Sequence, residues 1–196
     1  WSFGFLRMGT VSLVAQQLAK KNYNEIILVF VRNIILALFI GITIIFFKEP
    51  ILNLIEYFFK TTEETQNLIN KYISIRILSA PAELIIYVLA GLYLGLQRTY
   101  ISSLMISIFC IGNAALSYVF VIHFNLEIFG VAAGTLIAAY LTVIIFLTFS
   151  YFQFKKKLKI SLTYKKIFNI KKLFNLFNIN FDIFIRTILL TFSFLW

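Results

Sequence analysis

The chain has 196 residues, 61% of them hydrophobic and only 13% charged, with a formal net charge of +10 and a mean hydropathy of +0.91. A soluble domain is about half apolar and a quarter charged, so this composition excludes one and points to an all-α integral membrane protein, a polytopic helical bundle. A membrane barrel is excluded as well, because its strands alternate over about ten residues and the apolar runs here are longer and continuous. Cys110 is alone, so there is no disulfide framework.

About 20 apolar residues cross the hydrocarbon, and the sequence predicts spans at roughly 1–18, 26–47, 72–96, 101–124, 127–153 and 180–196. Trp1 opens straight into the first apolar run and Trp196 closes inside the last. That is the pattern expected of a piece of a longer chain, with at least one helix upstream and more downstream. Between the second and third spans, ILNLIEYFF reads as an amphipathic surface helix. TTEE after it offers a capping box, Thr61 with Glu64. The segment 154–179 reads as a basic connector.

Lysine and arginine mark the cytoplasmic side. Lys20, Lys21, Arg32, Arg98 and the eight lysines from Lys155 to Lys172 fall on one side, against Lys48, Lys60 and Lys71 on the other. The first span then runs from outside to inside, and the localisation expected is a bacterial cytoplasmic membrane. The lysines of the connector face the anionic inner leaflet, where they serve as topological anchors or as an interfacial helix. Because the basic residues cluster in a membrane-flanking loop, the net charge calls for no nucleic acid.

Polar residues at membrane depth are costly and usually face the bundle interior or a water-filled cavity. The first span carries Arg7, Thr10, Val14 and Gln17 on one helix face. The third carries Arg76 and Glu83 two turns apart, with Pro81 between them to kink the helix. Asn113 and Ser117 lie one turn apart in the fourth, and Thr135 follows small residues in the fifth. In the last, Asn178, Asp182 and Arg186 form an i, i+4, i+8 stripe in the order favoured for a helical ion pair. Each also has a structural reading: Arg76 snorkelling or pairing with Glu83, Asp182 at a helix start, Asn113 in an interhelical hydrogen bond. Stripes on several helices favour a hydrated internal pathway. His123 sits at an outer helix end and reads as solvated. GLYLG (Gly91, Gly95) and GVAAG (Gly130, Gly134) have the small-xxx-small spacing of close helix packing.

Four motifs carry a resemblance. WSFGFLRMGTVSLVAQQ is similar to the second helix of the DinF branch of the multidrug and toxic compound extrusion (MATE) family. RILSAPAELIIYVLAGLYLGLQRT resembles its fourth helix, GVAAGTLIAAY the start of its sixth, and NINFDIFIRT the N-x-D-x-x-x-R-T signature of its seventh. The resemblance covers the whole chain in order. It implies helices two to seven of a twelve-helix, two-lobe transporter: residues 1–153 in the first lobe, 154–179 as connector, and 180–196 as the first helix of the second lobe. It further implies alternating-access antiport of organic compounds, as a monomer, against protons or sodium ions. The family's acidic residue on the first helix would lie upstream of Trp1. Relatives often carry Asn followed four residues later by Asp on the fifth helix; here the pattern is Asn113 then Ser117. Asn113, Ser117 and Thr135 are then a neutral coupling site, which suits protons better than sodium ions. Asp182, Arg186 and Asn178 are expected at the lobe interface as an inner gate. Arg7, Thr10, Gln17, Arg76 and Glu83 are expected in the polar interior.

No metal or other cofactor is expected, and a lone histidine outside the core does not supply the clustered ligands a membrane metalloenzyme needs. A flippase for lipid-linked sugars, which shares the broader superfold, is the alternative that Arg7, Arg76 and Arg186 keep open.

Overall fold

The computed structural model describes residues 3–58, 62–155 and 170–194, and no strand occurs among them. The helices are α1 (Gly4–Ala19), α2 (Tyr23–Phe46), α3 (Lys48–Phe58), α4 (Glu63–Arg76), α5 (Ala80–Gly95), α6 (Thr99–Ile122), α7 (Glu127–Lys155) and α8 (Ile170–Phe194). A single 3₁₀ turn, Ile77–Ser79, joins α4 to α5. Among the described residues, five stretches are long and apolar enough to cross a membrane: α2, the α4–α5 unit, α6, α7 and most of α8. β-Branched runs such as IILVFV stay helical there because hydrocarbon offers backbone groups no other partner.

Helix α5 is the hub. Pro81 to Gly95 is buried almost throughout, and α1, α2, α6 and α7 all pack on it. The GLYLG glycines are the seat for α1. A methyl on Gly91 would stand 2.7 Å from the Arg7 carbonyl oxygen and the Thr10 Cβ, and one on Gly95 2.7 Å from the Val14 Cβ. The second motif works likewise, because Gly134 lets α7 close on Ser117 of α6. On the far side of α5, the Tyr93 hydroxyl and Ser150 of α7 lie within hydrogen-bonding distance at 2.6 Å.

The kink expected at Pro81 is the 3₁₀ turn. Proline cannot donate to the Ile77 carbonyl one turn back; the Ala80 N–H takes that carbonyl instead, and Tyr140 of α7 donates to the neighbouring Leu78 carbonyl at 3.1 Å. Large apolar side chains such as Phe39, Phe46, Ile111 and Ile144 are exposed on the outer faces of α2, α6 and α7. A soluble monomer rarely shows so much contiguous apolar surface; lipid covers such faces.

Several sequence expectations shift. The amphipathic surface helix is α3, held by the buried Leu52. Thr61 lies outside the described residues. The N-cap of α4 is Thr62, whose hydroxyl meets the Thr65 hydroxyl at 2.9 Å in place of a backbone amide. Arg32, counted among the cytoplasmic-side cations, sits inside α2 and is 2% exposed. The last helix starts at Ile170, ten residues before the expected 180. Of the connector, 156–169 lie outside the described residues, and the inner-leaflet reading falls largely there.

Candidate functional site

The α6–α7 hairpin assembles the first polar cluster. Thr135 donates to Asn113 Oδ1 at 2.9 Å and Ser117 to the same oxygen at 3.2 Å. Thr135 is also 3.1 Å from the Val131 carbonyl, so its one proton is shared. Two hydroxyls converging on one amide oxygen fix the side-chain plane, because only the oxygen end of the amide accepts. Asn113 and Ser117 are half-buried and Thr135 is buried. The three residues read from separate helices as one site are thus brought together, in the seam where α7 closes on α6.

Arg76 and Glu83 form a second group. They are joined as an ion pair across the 3₁₀ turn, with Ser79 between them. Ser79 also donates to Glu83 Oε1 at 2.9 Å or to the Arg76 carbonyl at 2.7 Å. The pair staples the two halves of the kinked α4–α5 unit around Pro81. Both members keep partial contact with the outside, at 33% and 27% exposure.

The stripe on α1 divides. Thr10 is fully buried, its hydroxyl donates to the Leu6 carbonyl at 2.7 Å, and its Cβ lies over Gly91. Thr10 thus belongs to the seam with α5 and lines no hydrated space. Arg7 and Gln17 are half-buried at either end.

On α8, Asn178, Asp182 and Arg186 share an exposed face. Asp182 and Arg186 border an open groove of about 450 Å³ with Leu189 and Ser193. The intrahelical ion pair expected of them is not made: among the described residues the ion pairs are Arg32–Glu25, Arg76–Glu83 and Lys172–Glu25. An exposed pair gains too little Coulomb energy to hold two mobile side chains in one geometry. No hydrogen bond or ion pair links this face to the α6–α7 cluster or to the kink among the described residues.

The opposite face of α8 docks on the first helices, through residues the sequence reading passed over. Phe184 meets Phe5 edge-on at 5.3 Å, and Leu176 is buried. Asn180, 2% exposed, occupies the space over Gly9 of α1. Its amide donates to the Leu176 carbonyl at 2.9 Å and reaches Asn33 of α2 at 3.4 Å. Near the start of α8, Lys172 reaches Glu25 Oε2 at 2.8 Å, while Arg32 donates to Glu25 Oε1 at 2.9 Å. One carboxylate thus ties α8 to α2. Glu25 sits in the first turn of α2 behind the Asn22 cap, where the helix dipole also favours a negative charge. A local signal existed, since Glu25 and Arg32 are two turns apart on one face; the partnership with Lys172 had none.

An apolar outer shell, a hub helix kinked at proline and internal polar clusters define a multi-pass membrane protein. The MatE family model matches residues 2–119, and the chain belongs to that family. It is 33% identical over 141 residues to the DNA damage-inducible protein F of Escherichia coli (strain K12), covering 72% of this chain and 31% of that protein. Among solved structures it resembles a MOP superfamily transporter from Pyrococcus furiosus (TM-score 0.78, 19% identity, 92% of this chain and 40% of that one). It also resembles the outward-facing conformation of a multidrug resistance MATE family transporter (TM-score 0.76, 20% identity, 89% of this chain and 38% of that one). The chain therefore spans roughly a third of the length of these relatives.

Proposed function

We propose that this chain supplies much of the first lobe, and the first helix of the second, of a secondary antiporter. That protein exports organic compounds across the cytoplasmic membrane by alternating access. Family membership supports transport, and the observation that carries the coupling assignment is the neutral cluster at Asn113. Two hydroxyls hold its amide oxygen, leaving its Nδ2 protons to meet an acceptor from a further helix. A site of one amide and two hydroxyls offers no formal negative charge. The cluster itself holds no group that takes up or releases a proton near neutral pH, so the proton is carried by a carboxylate from a helix outside this chain, met by Asn113 Nδ2. Hard cations are bound by several oxygens, carboxylates among them, so protons fit as the coupling ion better than sodium ions. Asp182 and Arg186, exposed on the face of α8 turned from α1, are the groups offered to the second lobe as an inner gate. The intact protein is expected to export its substrates as a monomer.

The test uses the full-length gene product in proteoliposomes, with a proton or a sodium gradient imposed separately and efflux of a fluorescent organic cation followed. Proton-driven efflux, lost in Thr135→Val and retained in Thr135→Ser, supports the reading. Sodium-driven, pH-independent efflux refutes the coupling assignment. No efflux under either gradient from folded protein refutes the export of organic cations.

A further inference from the structure

A hollow of about 290 Å³ lies at the lysine-rich end of the bundle, enclosed by the α1–α2 turn, the α5–α6 turn and the last residues of α7. Leu18, Leu96 and Phe154 give it apolar walls; Tyr23, Gln97, Arg98 and Gln153 give it polar ones. Three features of these polar residues bear on a ligand.

The first is Gln153. Its Oε1 is buried and, among the described residues, has no hydrogen-bond partner. Buried acceptors are normally satisfied, and an orphan calls for a donor from elsewhere.

The second is Gln97. Both turns beside the hollow are built alike, with a left-handed residue closing the helix: Lys21 at φ 52 and Gln97 at φ 61. Arg98 N–H donates to the Tyr93 carbonyl at 2.8 Å and Gln97 N–H to Leu94 at 3.0 Å, the paired bonds of a Schellman ending. Glycine is the usual residue at that position, because a Cβ is strained there. A glutamine there places a long amide side chain on the hollow at a conformational cost.

The third is Arg98. It is exposed on the rim and is in no ion pair among the described residues. Lys20, Lys21 and Lys155 stand on the same three segments, so the field at the mouth is positive.

A cation at the rim, amide groups in the wall and a buried acceptor call for an oxyanion that also carries a hydrogen-bond donor. The volume suits a headgroup and not an acyl chain, and apolar walls at the membrane rim suit the glycerol end of a lipid. We infer that this hollow binds the phosphodiester headgroup of an anionic glycerophospholipid. Arg98 and Gln97 hold the phosphate, and Gln153 Oε1 accepts from a headgroup hydroxyl. Occupancy pins the last turn of α7, at the root of the connector, to the α1–α2 and α5–α6 turns. This is a site distinct from the α6–α7 cluster, and its test reads binding, independently of transport.

The experiment takes the full-length gene product, delipidated in detergent. Native mass spectrometry measures its affinity for dioleoyl phosphatidylglycerol, dioleoyl phosphatidylcholine and soluble glycerol 3-phosphate, in the wild type, Arg98→Ala and Gln97→Gly. The expected result is a preference for phosphatidylglycerol over phosphatidylcholine of about tenfold, the scale of one charge-assisted hydrogen bond. Both variants lose most of that preference, with the connector lysines unchanged. Gln97→Gly at the same time raises the thermal unfolding midpoint, because it relaxes the left-handed turn; a residue kept only for the fold would not behave so. Equal affinity for the two lipids, or undiminished phosphatidylglycerol binding in both variants, overturns the site. Displacement by glycerol 3-phosphate at comparable concentration overturns the lipid assignment in favour of a soluble phosphate.

Discussion

Replacing Glu25 with alanine should cost far more stability than replacing either of its partners. Arg32 is 2% exposed and held at 2.9 Å by Glu25, whereas Lys172 is 50% exposed. Removing the carboxylate takes the counter-charge from a guanidinium in a near-dry site, and removing one member of a buried ion pair costs about 3–5 kcal/mol. Lys172→Ala removes a half-solvated charge and should cost no more than about 1 kcal/mol. Arg32→Leu is intermediate, because Glu25 keeps Lys172. The double variant Glu25→Ala with Arg32→Leu should recover most of the loss, since apolar side chains often replace a buried pair at little cost. The assay is unfolding of the full-length gene product in a titration of denaturing detergent, followed by circular dichroism. At about 1.4 kcal/mol per factor of ten, Glu25→Ala should change the folding equilibrium by roughly a hundred- to a few-thousand-fold. An effect of Glu25→Ala no larger than that of Lys172→Ala would refute the reasoning. So would a double variant as unstable as the two single losses added together.

Gly41→Ala drives a methyl to 2.5 Å from the Pro81 Cα, against backbone and a rigid ring that cannot yield. It should destabilise by about 1–3 kcal/mol, read as a lower thermal unfolding midpoint. Gly9→Ala places its methyl on the buried Asn180 amide; faster hydrogen exchange along α8, with α5 unchanged, is the expected signature. Thr135→Val removes one of the two donors to Asn113 and should cost about 1 kcal/mol of stability, yet abolish proton-driven efflux. Asp182→Asn lies on an exposed face and should leave expression unchanged while lowering transport; equal loss of both would argue for a structural role.

Much of the bundle was legible because its signals are local. Gly91 with Gly95, Gly134 and Pro81 each announce a close approach or a break within one helical turn, and the structure uses them so. The joining of Asn113, Ser117 and Thr135 was legible for a related reason, since α6 and α7 are neighbours through a short turn. What was hidden depends on distant partners. Asn33 and Asn180 lie 147 residues apart, and nothing local says which face of α8 meets α1. The stripe through Asn178 looked the more purposeful, yet helix packing chose the face through Leu176, Asn180 and Phe184. Arg32 counted only as a cytoplasmic-side cation, because a predicted span beginning at Ile26 left Glu25 just outside the helix. Helix α2 begins three residues earlier, at Tyr23, which brings Glu25 onto the helix as its partner.

The two kinds of contact in this chain assign different mechanical roles to its parts. Helices α1 and α2 are pressed onto α5 at glycines and buried aliphatic side chains. Such seams depend on close van der Waals fit and tolerate no intermediate spacing. Helix α8 adds polar contacts to its apolar ones: Leu176, Ile179, Ile183 and the Phe5–Phe184 pair accompany Asn180, Asn33 and the carboxylate shared by Arg32 and Lys172. Polar contacts of this sort can be exchanged for water or for another partner as two bodies rotate, so an interface built on them can have two arrangements. The half-exposed Lys172 is the member placed to let go first, while Arg32 keeps Glu25 satisfied once it has gone. A joint that loosens at its lysine-rich end without leaving a buried charge unpaired is what the proposed alternating access would require of α8.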